Sequence, residues 1–218
     1  MGSLEMFRRP ATWPLLMLVL AMSGCASLPP EPLPAQTPAQ RSQKLEQLQS
    51  WSAQGRVAVQ AGNEGNSAAF EWQRTGGTEV LRMRDPLGRT VMLLEQSPQG
   101  AYAKFADGFE ASGPDAATVL AGRSPMPLPV SSLAYWLRGQ ALPGQLAEVT
   151  YDSQGNPEIL KQAGWTVTYQ DYRPVNGVAM PGRVLAEGPQ AVRVKAVIRD
   201  WQLQFGNAAA STAGGQGG

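Results

Sequence analysis

The 218-residue chain contains no histidine and a single cysteine, Cys25. Without imidazole there is no histidine-based triad, no histidine-ligated zinc and no side chain that ordinarily shuttles protons near neutral pH, which excludes many of the commonest hydrolase mechanisms. One cysteine closes no internal disulfide and makes no CxxC site. Charge of either sign is also in short supply as a surplus: Lys+Arg 18 stand against Asp+Glu 17, whereas a nucleic-acid binder carries a strongly basic footprint. No phosphate cradle of the GxxxxGK[ST] or GxGxxG type and no G-x-S-x-G elbow occurs, and an acidic pair such as Glu71 with Asp107 makes a glycosidase dyad only if the fold brings the two together. What the chain does have is a 43% apolar fraction, enough for a core, and 24 glycines with 18 prolines to punctuate short elements. One domain, or at most two, fits this length.

The N-terminus reads as an address. Arg8 and Arg9 precede an apolar run over residues 11–22 that closes on Ser23-Gly24 before Cys25. A basic start, about a dozen apolar residues and a small-residue end describe a secretory signal, too short for a membrane-spanning helix. Two readings of Cys25 follow: an incidental thiol behind a plain signal peptide, or the modified residue of a bacterial lipoprotein, since Met22-Ser23-Gly24-Cys25 resembles a lipobox. Removing residues 1–24 takes away Glu5, Arg8 and Arg9 and leaves a neutral mature chain. Acyl chains on Cys25, each worth roughly 0.8 kcal/mol per buried CH₂, would then hold the protein to a membrane in place of a charged surface.

Residues 25–37 form a proline-rich tether without hydrophobic periodicity. Thr37 suits a helix N-cap with Pro38 at the first helical position, and Leu45, Leu48 and Trp51 recur at helical spacing, so a helix is expected over 38–50. Beyond Trp51 the apolar period becomes two: Val57 and Val59, then Phe70 and Trp72, then Trp165, Val167 and Tyr169 alternate with polar or small residues. Turn signals recur at short intervals, including Gly62–Asn66, Gly76-Gly77, Asp107-Gly108 and Asn176-Gly177. About eleven short strands, mostly joined as hairpins, predict a mainly β fold, an antiparallel barrel or strongly curved sheet. Two helices interrupt it, one after Ser112-Gly113-Pro114 and one over about 130–138 with Leu133, Trp136 and Leu137 on one stripe and Gly139 as a stop. Residues 38–205 thus make a single domain, and the Gly/Ala-rich tail 206–218 is expected to be disordered.

Two local features stand out. Asp85-Pro86-Leu87-Gly88 carries a type I turn signature and offers Leu87 at a hairpin tip between Arg84 and Arg89. Leu87 either folds back on the sheet or contacts a membrane or partner, with the arginines available to lipid phosphates. The second feature is tryptophan: Trp72, Trp136, Trp165 and Trp201 are either ordinary core or the wall of a greasy cavity such as small barrels enclose.

In combination these motifs identify a family. The lipobox cysteine, Trp72-Gln73-Arg74-Thr75-Gly76, Asp85-Pro86-Leu87-Gly88, Met126-Pro127-Leu128-Pro129, Leu133-Ala134-Tyr135-Trp136-Leu137, Gly164-Trp165-Thr166-Val167-Thr168-Tyr169, Met180-Pro181 and Trp201 occur in the order and spacing of the outer-membrane lipoprotein receptor family LolB, which the chain resembles from Cys25 to about Phe205. The resemblance implies a half-open antiparallel β-barrel with helices covering or plugging a hydrophobic cavity. It implies a lipid-anchored protein on the periplasmic face of the outer membrane, with Ala26 after the cysteine in place of the aspartate that signals inner-membrane retention. Its function would be to accept lipoproteins from the periplasmic carrier LolA and insert them into the inner leaflet of that membrane without nucleotide. The membrane-targeting loop would be Leu87 with Pro86 and Gly88, Asp85 standing where the family has asparagine. The expected protein is a monomer and not an enzyme; it takes no cofactor or metal beyond the diacylglycerol and acyl chain on Cys25, and it binds no nucleic acid. The alternative is a lipid-anchored periplasmic binding protein for another lipid or hydrophobic ligand.

Overall fold

The computed structural model describes residues 31–121, 123 and 129–206. The signal segment, Cys25 with nearly all of the tether before Pro32, the connector 124–128 and the tail from 207 lie outside the described residues.

An eleven-stranded antiparallel sheet forms the body of the domain. In chain order its strands are β1 (Leu48–Ala61), β2 (Glu64–Thr75), β3 (Thr78–Arg84), β4 (Thr90–Ser97), β5 (Gly100–Phe105), β6 (Glu110–Gly113), β7 (Ala147–Tyr151), β8 (Pro157–Gln162), β9 (Trp165–Gln170), β12 (Arg183–Glu187) and β13 (Val192–Phe205), while β10 (Arg173–Val175) and β11 (Val178–Met180) pair as a separate hairpin. The spatial order β6-β5-β4-β3-β2-β1-β13-β12-β9-β8-β7 leaves β6 and β7 as edges, so the sheet curls without closing, in keeping with the expected half-open barrel.

The seam at the centre is β1 with β13, which joins the two ends of the domain from Leu48 opposite Phe205 to Ala61 opposite Val192. Along β13 burial alternates strictly from Val192 to Ile198, as a strand with one face inward requires. The β1 register shifts between Gln54 and Gly55, where a Cβ would overlap the Val197 carbonyl; only glycine permits this close approach.

Helix α1 is Pro38–Glu46, shorter than the expected 38–50. Thr37 and Gln40 form the capping box, the Thr37 hydroxyl accepting from the Gln40 N–H at 3.2 Å and the Gln40 side chain from the Thr37 N–H at 2.9 Å. The helix stops because the chain from Leu48 finds better partners in the ladder, Leu48 opposite Phe205 and the Gln47 carbonyl accepting from Gly206 N–H at 3.1 Å. The three-residue spacing of Leu45, Leu48 and Trp51 holds at this junction although Trp51 is buried from a strand.

Helices α2 (Ala116–Leu120) and α3 (Val130–Trp136) interrupt the sheet where expected. Asp115 caps α2, accepting from Thr118 N–H at 2.7 Å, and beyond α3 the chain turns at Gly139 with φ +71°. The carboxyl end of α3 meets an unusual partner. Arg41, a polar position of α1, is 3% exposed and pairs with no carboxylate among the described residues; its guanidinium donates to the carbonyls of Arg138 at 2.7 Å, Gly139 at 3.1 Å and Ala179 at 3.1 Å. Two of these carbonyls lie in the turn that follows α3, so Arg41 ties α1 to the segment on which α3 ends. Arg41→Ala would strand three buried acceptors, each worth about 1–3 kcal/mol; a loss of about 3 kcal/mol after relaxation is expected in urea unfolding, with α3 the first element to gain hydrogen exchange.

Candidate functional site

Between α2, α3 and the concave face of the sheet lies a cavity of about 440 Å³. Its floor is built from inward positions of β1 to β5, β12 and β13, among them Val57, Val59, Phe70, Trp72, Leu81, Val184 and Ala196. Its roof is Ala117, Leu120 and Ala121 at α2 with Val130, Leu133 and Trp136 of α3 and Leu137 at its C-cap, so the stripe expected on that helix faces the cavity. The volume falls within the roughly 300–1,000 Å³ of small-ligand sites. Arg123 is the one charged residue among the described residues of the wall; the rest is hydrocarbon, thioether and aromatic ring.

Exposure along the wall shows where it opens. Phe70, Trp72 and Trp136 are buried, whereas Val57, Val59, Met83, Met92 and Phe105 are half-buried. Phe70, Met83, Met92 and Phe105 stand opposite one another across β2 to β5 and make one apolar row. The half-buried members lie toward the β3–β4 and β5–β6 turns, so the mouth is on that end of the sheet. The β3–β4 turn carries Leu87, which is 80% exposed and does not fold back.

The turn that presents Leu87 is locally determined. Gly88 N–H donates to the Asp85 carbonyl at 2.9 Å, and the Asp85 carboxylate accepts from Leu87 N–H at 2.9 Å and Arg89 N–H at 3.0 Å. Gly88 takes φ +84°, a conformation costly to a residue with a Cβ. Desolvation disfavours the ionised Asp85 carboxyl, but the Arg89 side chain, which it meets at 2.7 Å, outweighs this and holds it below the usual carboxylate range. The flanking arginines are therefore engaged within the protein: Arg89 neutralises Asp85, and Arg84 pairs with Glu71 at 3.5 Å. What the tip offers outward is the leucine, with the charge of the exposed Arg89 beside it balanced by Asp85.

The four tryptophans separate into two groups. Trp72 and Trp136 line the cavity, while Trp165 and Trp201 stand outside its lining. Trp165 backs Trp136 with ring centroids 5.7 Å apart, and Trp136 is fixed by donating to Gln162 at 2.9 Å. Trp201 packs on Trp51 at 6.1 Å and donates to the Pro181 carbonyl at 2.8 Å; Trp51 in turn meets Trp72 at 5.9 Å. Trp165 thus supports a wall residue directly and Trp201 does so through Trp51, a distinction between layers that inward-facing alternation does not carry. Arg138 closes this cluster, its guanidinium 5.2 Å from the Trp51 ring; burial pushes it down to about 10, which leaves it cationic at neutral pH.

Glu71 and Asp107 do not come together as a dyad. Glu71 pairs with Arg82 and Arg84, and Asp107 with Arg123. Three features went unread in the sequence: Arg123 at the cavity wall, and the exposed Phe109 and Leu146, 45% and 97% accessible. Phe109 repeats the logic of Leu87, an apolar residue behind an aspartate whose carboxylate accepts its N–H, here at 3.1 Å.

Residues 49–201 match the family model described as Outer membrane lipoprotein LolB. The outer-membrane lipoprotein LolB of Alkalilimnicola ehrlichii is 37% identical, the match covering 86% of this chain and 94% of that one. That of Chromohalobacter salexigens is 31% identical over 88% and 90% of the two chains. A solved LolA superfamily protein from Nitrosomonas europaea is 12% identical, with a TM-score of 0.49 over 78% of this chain and 94% of its own.

Proposed function

The chain belongs to the LolB family of outer-membrane lipoproteins, and from that premise we propose that it is the receptor at which lipoproteins leave the carrier LolA and enter the inner leaflet of the outer membrane. The observation that carries this reading is an apolar cavity whose mouth lies at the same end as an outward leucine. Cargo acyl chains would pass from the carrier's apolar site into this one. Transfer between two such sites needs only a difference in affinity, about 1.4 kcal/mol for each factor of ten, so no nucleotide is required. Cys25, carrying diacylglycerol and an acyl chain, would be the anchor on the periplasmic face, since more than one long chain gives stable attachment where one is marginal. Leu87, held out by Pro86 and Gly88, would enter the bilayer surface as cargo is released. Trp72 and Trp136 would contact the chains, with Trp165 backing Trp136 and Trp201 backing Trp72 through Trp51. None of these steps needs a reacting group, and the protein works as a monomer without a metal or diffusible cofactor.

A dye-displacement experiment tests the cavity reading. An apolar fluorophore should bind the Cys25→Ala form and be displaced by a triacylated lipopeptide, not by the same peptide without acyl chains. If the dye binds and the lipopeptide leaves it in place, the cavity serves some other hydrophobic ligand.

A further inference from the structure

Arg123 is out of keeping with its surroundings. It lies in the wall of an otherwise apolar cavity, close to the exposed tip of the β5–β6 hairpin. Its guanidinium stands 5.1 Å from the ring centroid of Phe105, itself a wall residue, and 4.1 Å from that of Phe109, while Nη2 meets the Asp107 carboxylate at 2.7 Å. The Phe109 N–H and Arg123 together hold the Asp107 carboxyl below its usual range, so the ion pair is intact at neutral pH. Two rings and one carboxylate thus place a planar cation at the mouth, where the wall changes from buried to half-buried. A guanidinium presents five N–H donors in a rigid fork, more than one carboxylate can engage.

On the reading that acyl chains occupy this cavity, we infer that Arg123 is a recognition site for the ester carbonyls that join those chains to glycerol. An acylated cargo is apolar along its chains and polar at the linkage. With the chains in the hydrocarbon part of the cavity, the linkage comes to the mouth, where Arg123 is the charged donor of the described wall. Carbonyl oxygens accept from a guanidinium, and a partly desolvated, charge-assisted bond of this kind is stronger than its counterpart in water. Asp107 competes for the same donors and keeps the cation from standing alone when the cavity is empty. The site therefore separates an acylglycerol from a plain hydrocarbon, which the remainder of the wall binds without distinction.

The test uses the full chain bearing Cys25→Ala and two synthetic triacylated lipopeptides, one with ester-linked and one with ether-linked glycerol chains. The ether analogue keeps the hydrocarbon and lacks the two ester carbonyls. The unaltered Arg123 protein should bind the ester form about tenfold more tightly. Arg123→Gln should bring ester binding down to the ether level while leaving ether binding unchanged. Asp107→Asn, which keeps an oxygen for the Phe109 N–H but removes the competing charge, should widen the ester preference, a gain that a merely structural pair would not give. Equal losses for both analogues in Arg123→Gln, or no ester preference in the parent, would overturn the assignment of Arg123 while leaving the cavity reading intact. Failure of both analogues to bind a protein that still binds an apolar dye would overturn the cavity reading itself, and this inference with it.

Discussion

Leu87→Glu should leave the fold and the uptake of cargo unchanged and slow delivery of lipoprotein into vesicles by about tenfold to a hundredfold. The range follows from the leucine alone, since burying its side chain contributes about 1.5–3 kcal/mol and about 1.4 kcal/mol is a factor of ten. The side chain is 80% exposed and its turn is held by Asp85, Arg89 and Gly88, none of which depends on the leucine, so the substitution has nothing in the fold to disturb. Val197→Glu is the matched control: it places the same carboxylate on an exposed position of β13, away from the turns. Stopped-flow transfer to phospholipid vesicles should show the Val197 variant at the normal rate and the Leu87 variant slowed. Equal rates for all three proteins would remove the leucine from the mechanism.

The opposite separation is expected from Ala196→Phe. Ala196 lies on the cavity floor, between Val57 of β1 and Val184 of β12, and its methyl group leaves the space above it empty. A phenyl ring built there projects into the cavity, taking volume that cargo needs. Filling an apolar cavity commonly stabilises a protein by about 0.5–2 kcal/mol, so unfolding should occur at the same or higher urea concentration. Binding of triacylated lipopeptide should fall at least about tenfold, the loss of one well-buried apolar contact set. Leu87→Glu would thus accept cargo and deliver it slowly, whereas Ala196→Phe would be stable and fail to accept. A variant at Ala196 that binds cargo normally would place the acyl chains elsewhere.

The sheet was legible because its cause is local. Period-two alternation in β2, β9 and β13, with Gly- and Asn-bearing turns between strands, names the faces and most of the hairpins. The turn that carries Leu87 was legible for the same reason, through Asp85-Pro86 and Gly88, whereas the choice between a leucine folded back on the sheet and one held outward is settled by the folded chain alone. Features made by distant parts of the chain were not. The end of α1 is set by pairing with Phe205, far along the sequence, and the helical spacing of Leu48 and Trp51 runs through the boundary without marking it. Alternation assigns Trp72, Trp165 and Trp201 to the interior but does not say which touches a cavity and which stands behind another ring. Arg41 reads as a polar residue of an amphipathic helix, and only the approach of α3 and β11 makes it a buried clasp. Arg123 and Phe109 belong to different elements, and their stacking exists only in the folded chain.

Transfer between purified proteins tests the account most directly. A LolA–lipoprotein complex is mixed with the Cys25→Ala chain in the absence of membranes and nucleotide, the two proteins are separated, and the lipoprotein is followed. The apolar cavity predicts that the lipoprotein moves to this chain, that transfer needs no ATP, and that Ala196→Phe blocks it while Leu87→Glu does not. Lipoprotein that stays on the carrier, or that moves equally well to the Ala196→Phe protein, would contradict the account.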